Sequence, residues 1–410
     1  MKKLLQKYAE LIVKVGVNVQ KDQRVLIRAG TDNADIVRLI TKEAYLVGAK
    51  EVMVQWSDDG VMLLNALHQS KETMSEVPNY IVERAKYLVD ENVCHIAITS
   101  PVPGLLKDVD SDKLQAQAIA SQTKLRFFQE FVMGNGVQWT VVAAPNVVWA
   151  QKVFPNAKDE QEAVQLLWEA ILQASRVNKD NNPIKEWANH NQVLSKHNQM
   201  LNDFNFKSLH FKNSLGTDIT VELVKDHIWS GGNETSLNGT TFNPNIPTEE
   251  TFTMPHKFGT NGKVVATKPL NYQGKLIEDF YLVFKDGKVV EFGAKKEGEA
   301  LQSLLDLDEG SRYIGEIALI SHQSPISDMD ILFYNTLFDE NASCHMALGR
   351  AYPMNVKNGV NMKIEELEKI GYNNSMNHVD FMFGSSDLEI IGTKQNGEKV
   401  VIFKEGNFAI

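Results

Sequence analysis

Along the first half of the chain, short apolar runs alternate with stretches of helical period. Leu4, Leu5, Tyr8, Leu11 and Ile12 recur every three or four residues and predict an amphipathic first helix. Val25-Leu26-Ile27, between Arg24 and Arg28, predicts a strand, followed by Gly30 and a helix cap at Thr31 or Asp32. Ile36, Leu39, Ile40 and Ala44 then share one helical face, and Gly48 stands just past the helix end. Residues 52–56 read as a second strand. A strand–helix–strand unit of this kind implies parallel pairing through a right-handed crossover. The pattern continues with a helix near 80–90, a strand over Cys94–Thr99, a helix near 110–121, a strand over Trp139–Ala143 and a helix over 158–175. Such alternation predicts a layered α/β domain spanning residues 1–185.

Beyond Asn178 the period changes. Residues 178–183, Asn-Lys-Asp-Asn-Asn-Pro, open a polar connector that runs to about Lys207 and includes a polar helix. Residues 208–211 and 219–223 then alternate apolar and polar positions, as half-buried strands do. Residues 281–284 and 289–292 flank Asp286-Gly287, a hairpin signal, and residues 400–403 and 408–410 flank Glu405-Gly406-Asn407. Residues 186–410 are therefore expected to form a second, α+β and β-rich domain. No internal repeat is present.

Composition narrows the function classes. A chain of 410 residues exceeds what one core usually organises, and 43% hydrophobic with 23% charged residues is the balance of a soluble globular protein. The formal net charge is −10, with no run of Lys or Arg, which argues against nucleic acid as a partner. Lys7, Glu10 and Lys14 interrupt what would otherwise resemble a signal peptide, and no apolar stretch approaches the ~18–20 residues of a membrane span. Cys94 and Cys344 are the only cysteines, too few for a disulfide framework and suited to a reducing compartment. A cytoplasmic protein with no membrane contact is expected. Nucleotide binding is disfavoured, because Arg28-Ala29-Gly30-Thr31-Asp32 after the first strand carries neither a G-x-G-x-x-G pattern nor a P-loop lysine.

Metal-ligand residue types concentrate in four clusters of the second half. Asn245-Ile246-Pro247-Thr248-Glu249-Glu250 delivers two adjacent carboxylates; in extended backbone they leave on opposite sides, so only one of them faces any given centre. Glu316 stands at the mouth of the apolar run 317–320, where a carboxylate is costly unless paired or metal-bound; an edge-strand Glu facing water is the alternative. Poor helix formers at Asn341 and Ser343 suggest a loop folding Glu340 and His345 towards one point. His378 and Asp380, two apart on a strand, leave the same face; a His–Asp hydrogen bond in a core would look the same. Taken together, Glu250, Glu316, Glu340, His345, His378 and Asp380 supply the five or six imidazole and carboxylate ligands that two divalent ions require, with one carboxylate bridging. Cys344 reads as a buried small side chain rather than a nucleophile. Gly231, Gly232 and Gly239 lie upstream, in either a loop over the site or a plain hairpin turn. His227, His256 and His322 lack partners at ligand spacing. Arg312 and Arg350 are the only arginines near these clusters, which favours peptides over phosphoesters.

At these clusters the chain closely resembles the thermophilic-type metallo-aminopeptidases, the family of aminopeptidase T, aminopeptidase S and PepS. The resemblance runs from Tyr8-Ala9-Glu10-Leu11-Ile12 to the C-terminal half. It is most specific in Asn245–Glu250, Gly315-Glu316-Ile317-Ala318, residues 337–345 and residues 377–381. It implies a metal-dependent aminopeptidase acting on peptide substrates, cytoplasmic and homodimeric, with two divalent ions per chain (Zn, Co, Mn or Mg). Glu250, Glu316, His345, His378 and Asp380 are the implied ligands, with Glu316 bridging and Glu340 also matching the pattern. Tyr352 matches a tyrosine beside the metals; Tyr352 and Glu316 are the implied catalytic residues. The resemblance also implies an N-terminal α/β domain followed by a catalytic domain.

Overall fold

The computed structural model describes residues 1–272 and 275–410. Two compact units form, one from Met1–Asn189 with Asn233–Pro247, the other from His190–Gly232 with Thr248–Ile410.

The first unit contains a four-stranded parallel sheet of β1 (Arg24–Gly30), β2 (Glu51–Ser57), β3 (Cys94–Thr99) and β4 (Trp139–Ala143), in the order β2-β1-β3-β4. Helix α1 (Lys2–Leu11) is anchored through the fully buried Tyr8, whose hydroxyl donates to Ala143 O at 3.0 Å and accepts from Ala143 N at 3.2 Å. Helix α2 (Ala34–Leu46) follows β1 as the apolar spacing requires. However, the expected cap at Thr31 or Asp32 is displaced, because Thr31–Asn33 form a 3-10 turn and the helix begins at Ala34. Gly48, just beyond α2, has φ +97°, a conformation that costs an L side chain more than it costs glycine. Helix α3 (Glu160–Ala174) starts under an Asp159 cap.

The polar connector is largely one helix, α4 (Pro183–Phe204). Contrary to a simple division of the chain at residue 185, Asn233–Pro247 lies with the first unit. β4 is an edge strand with unpaired backbone groups, and this segment satisfies them: Val141 N donates to Pro244 O at 2.7 Å, and Ile246 N to Val141 O at 3.0 Å.

The second unit holds two antiparallel sheets. The larger has nine described strands and includes the hairpin of Lys275–Lys285 with Lys288–Lys296, turning at Asp286 and Gly287, both at positive φ. The smaller sheet positions the site. Its strands are β5 (Thr251–Thr253), β6 (Ile314–Leu319), β7 (His345–Gly349) and β8 (His378–Met382), in the order β8-β7-β6-β5. Every residue of β6 and β7 is buried. One face, with Ile317, Leu319, Met346, Leu348 and Phe381, joins a core that also contains Phe206, Phe211, Phe280 and Phe383. By the two-residue period of a strand, the other face carries Glu316, His345, His378 and Asp380.

Candidate metal centre

Strand register brings the predicted ligands together. Ala318 pairs with His345, Ala347 with both Glu316 and Asp380, and Gly349 with His378. The small residues at 318, 347 and 349 leave room above the sheet for the long acidic and imidazole side chains between them. Glu250, at the entrance to β5, completes the set. The edge alternative for Glu316 does not hold: it sits in an interior strand and is only 5% exposed.

Two groups of potential ligand atoms result, Glu250–Glu316–His345 and Glu316–His378–Asp380. His345 Nε2 stands 3.5 Å from Glu250 Oε2 and 3.6 Å from Glu316 Oε1, while His378 Nε2 stands 3.6 Å from Glu316 Oε2 and 3.4 Å from Asp380 Oδ1. Glu316 is common to both groups, one oxygen in each. These separations exceed a hydrogen bond, for which ~2.7–3.2 Å is normal. They match the ~3.4 Å that separates two ligands held at ~2.1 Å from one ion at a tetrahedral angle. Asp380 Oδ1 is buried without a hydrogen-bond partner, which a cation would supply.

The imidazoles are oriented from behind. His345 Nδ1 lies 2.9 Å from Glu340 O, and His378 Nδ1 lies 2.7 Å from Arg350 O; as carbonyls only accept, each Nδ1 donates and each Nε2 is presented to the carboxylates. Whatever sits at Nε2 must be positive. Burial opposes charge on His345, but the facing Glu316 and the charges of Asp380 and Glu250 outweigh it and push the imidazole up to about 10. Burial likewise opposes charge on His378, and Asp380 and Glu316 push it up to about 10. Glu250 is raised to about 7 by burial and by its repulsion from Glu316 and Asp380. Burial works to raise Asp380, but His378 and His345 hold it below the ordinary range. Without a cation, protons must play that part; the donor set fits divalent metal.

Other sequence candidates fall around this centre. Glu340 belongs to neither group of ligand atoms, though burial and then the charges of Asp380 and Glu250 push its carboxyl well up. Glu249 meets a different partner from Glu250, with Oε2 3.7 Å from His190 Nε2. The Tyr352 ring lies 4.7 Å from that of His378 and meets Phe252 edge-on at 6.3 Å. Cys344 is core: its Sγ contacts Ile320 O at 3.3 Å, and burial pushes its thiol up to about 12. His227 is buried with Nδ1 on Val224 O, and His322 is exposed. Of the glycines, Gly231 matters directly: at φ +144°, an added Cβ would come within 2.2 Å of Glu250 O. Gly239 sits in the hairpin between Glu234–Thr235 and Thr241–Phe242.

Three supporting residues are not among the site candidates of the sequence, where Asn341 reads only as a loop former. Asn341, fully buried, accepts from Glu249 N at 2.8 Å and donates to Leu337 O at 3.0 Å, tying the Glu249-Glu250 segment to the loop before His345. Asn373, also fully buried, holds Gly310 O, Tyr313 O and Gly349 O. His190 pairs with Thr248 O at 2.7 Å. An isolated Asn or His in a polar stretch looks like any surface residue until the fold brings distant carbonyls to it.

A mixed parallel and antiparallel α/β architecture here presents a buried carboxylate–imidazole cluster whose donor set fits divalent metal. Residues 1–408 match the thermophilic metalloprotease family (M29), and the chain belongs to it. The chain is 46% identical to aminopeptidase 2 of Geobacillus stearothermophilus, over 99% of this chain and 98% of that one. It is 45% identical to aminopeptidase AmpS of Bacillus subtilis, with the same coverage. The solved structure of wild-type AmpT from Thermus thermophilus superposes with a TM-score of 0.93 at 35% identity, covering both chains completely.

Proposed function

We propose that the protein is an aminopeptidase that releases N-terminal residues from peptides with two divalent ions held by the cluster. The observation that carries this reading is the division of Glu316, whose Oε1 faces His345 and whose Oε2 faces His378. Glu250 and His345 would hold one ion, His378 and Asp380 the other, and Glu316 both. Three ligand carboxylates with two neutral imidazoles carry a formal charge of −3, and Glu340 beside them brings it to −4, which two divalent ions would balance. Bound there, divalent ions supply Lewis-acid polarisation of the scissile carbonyl and a water acidified towards neutrality.

The chain's own residues do the rest. Glu340, outside the two ligand groups and partly buried beside Asp380 and Glu250, is placed to accept and return a proton or to hold the substrate's ammonium. The Tyr352 phenol is kept protonated by burial and by the negative charges of Glu316 and Asp380, so it remains a hydrogen-bond donor for a developing oxyanion. Glu340, the carboxylate outside the ligand set, would give a free N-terminal ammonium a partner and repel a C-terminal carboxylate, which favours removal of residues from the amino end. The reading includes residues 186–410 as the catalytic part of the chain and a cytoplasmic homodimer. Two buried free thiols support a reducing compartment, and no described helix is long and apolar enough to cross a membrane.

The test is release of amino acids from unblocked and N-acetylated dipeptides by metal-stripped protein, with Zn, Co, Mn or Mg restored singly. Only unblocked peptides should be cleaved. Activity should return with a divalent ion at two per chain and be lost at least ~1,000-fold in His378→Ala. Cleavage of the acetylated series at the same rate would overturn the aminopeptidase reading.

A further inference from the structure

The first unit has a cavity of about 370 Å³ at the carboxyl ends of its parallel strands, bordered by Gly30 of β1, Ser57 of β2, Ile98 of β3 and residues 146–148 beyond β4. The chain leaves β1 towards β2 on one side and β3 towards β4 on the other. The cavity therefore lies where the strand order reverses, the usual place for a ligand in an open parallel sheet. We propose that this cavity is a second binding site, built without any residue of the metal centre, for an aliphatic primary ammonium: a charged amine head on a short apolar chain.

Charge makes the first argument. Asp32, Asp58 and Asp59 stand in the wall, and no Lys, Arg or His does. Helix capping accounts for Asp58, whose Oδ1 accepts from Val61 N at 2.9 Å at the start of the helix Asp59–His68 and whose Oδ2 accepts from Thr31 Oγ1 at 3.3 Å. Asp32 and Asp59 have no hydrogen bond or ion pair among the described residues. Burial, then the charges of Asp32 and Asp58, raise the Asp59 carboxyl, an effect that a cation between them would reverse. A phosphate or carboxylate ligand is repelled by such a wall. A metal ion fits poorly too, because no three ligand atoms of these residues lie within 4.8 Å of one another, as those of the metal centre do. An ammonium, with three N–H donors, reaches acceptors that stand further apart.

An unmet acceptor points the same way. Asn33 is only 4% exposed, and its Nδ2 donates to Pro145 O at 3.1 Å. Because that carbonyl only accepts, the amide is fixed with Oδ1 on its other side, where Oδ1 has no hydrogen-bond partner. Oδ1 lies beside Gly30, where an added Cβ would meet it at 3.5 Å, and both residues line the cavity. Buried acceptors are nearly always paired, and an N–H of the ligand supplies the missing donor. The segments after β3 and β4 add Val102, Leu105, Val147 and Val148, against which methylenes can pack. Asn146 among them is committed to the loop: Nδ2 donates to Ser100 O at 2.9 Å and Pro101 O at 3.1 Å, and Oδ1 accepts from Trp149 N at 2.7 Å. A volume at the lower end of the ~300–1,000 Å³ of small-molecule clefts suits one compact ligand.

The experiment titrates the metal-loaded protein calorimetrically with pentylamine, methylamine, 1-pentanol and pentanoate. Pentylamine should bind about 10-fold or more tightly than 1-pentanol, and pentanoate should not bind. Asp32→Asn and Asp59→Asn, near-isosteric changes at carboxylates without partners, should each weaken pentylamine about 10-fold. Metal content, far-UV circular dichroism and dipeptide hydrolysis should stay at wild type in both, which separates this site from the metal centre. Val148→Ser, at an exposed position, should reduce the advantage of pentylamine over methylamine. Titrations with 1,5-diaminopentane and leucinamide distinguish two sources of such a head, a free diamine and the amino end of a peptide; tighter binding of either, lost in the aspartate variants, supports the site. Pentylamine binding no tighter than that of 1-pentanol, binding unchanged in both aspartate variants, or no saturable heat in wild type overturns the proposal.

Discussion

Glu316 and Tyr352 show how much a single side chain's surroundings decide. A glutamate ahead of an apolar run can face water; here it is walled in by β5 and β7, and its two oxygens address different imidazoles. Tyr352 stands before Pro353, where a packed aromatic would serve equally well, but its ring lies against His378 and its phenol is pushed well up by burial and neighbouring carboxylates. Tyr352→Phe should therefore lower kcat by roughly 100- to 1,000-fold. KM and metal content should stay close to wild type, as steady-state kinetics and metal analysis would check. An unaltered kcat would reduce Tyr352 to packing. At this scale the sequence was partly legible. His378 and Asp380, two apart on β8, do share a face, and Glu249 and Glu250 meet different partners, His190 and His345. That Glu340 would lie outside both groups of ligand atoms could not be read from spacing, because a loop's side-chain directions follow no period.

At the scale of elements, the site depends on two buried strands whose ligand-bearing face is otherwise small, with Ala318, Ala347 and Gly349 opposite or between the ligands. The end of β7 is secured from outside by Asn373, whose amide nitrogen contacts Gly349 O at 2.6 Å, Gly310 O at 2.9 Å and Tyr313 O at 3.2 Å. Truncating it removes these three contacts; Gly310 O and Tyr313 O still accept from Tyr313 N and Gly349 N, so the loss falls mainly on Gly349 O, at about 1–3 kcal/mol. Asn373→Ala should lower the stability of the metal-loaded protein by ~1–3 kcal/mol in chemical denaturation and weaken metal retention, since Gly349 pairs with His378. A loss within experimental error would show that Gly349 O finds another donor. Strand positions were legible from the two-residue period. Pairing order was not, because β6, β7 and β8 are separated by long loops whose course no local pattern encodes.

For the molecule as a whole, the cluster makes metal binding and proton binding alternatives. In metal-free protein, His345 and His378, raised to about 10, and Glu250, raised to about 7, hold protons that the unfolded chain releases at lower pH. The folded state then binds more protons than the unfolded state between about pH 4.5 and 10, so stability falls as pH rises across that window. The histidine contribution is complete below about pH 6.5 and is lost as pH passes 10. Divalent ions replace those protons, so the metal-loaded protein should show a much flatter profile and a higher Tm. Thermal melts from pH 5 to 10, with and without metal, check this; parallel profiles would mean that the cluster does not titrate as a unit with its cation.

The sequence by itself determined the classes of structure and the chemical inventory. Periodicity encodes whether a segment is helix or strand, and residue type encodes which atoms can hold a metal; both are local properties. The family followed from four short motifs in fixed order. Tertiary structure alone decided that Asn233–Pro247 completes the edge of the first unit's sheet, that one glutamate is shared between two histidines, and that buried Asn341 and Asn373 brace the site. It also decided that a small cavity of mixed polar and apolar lining opens beside Glu340 and Asp380. Each of these depends on residues far apart in the chain meeting through strand register and loop closure, which no local pattern records.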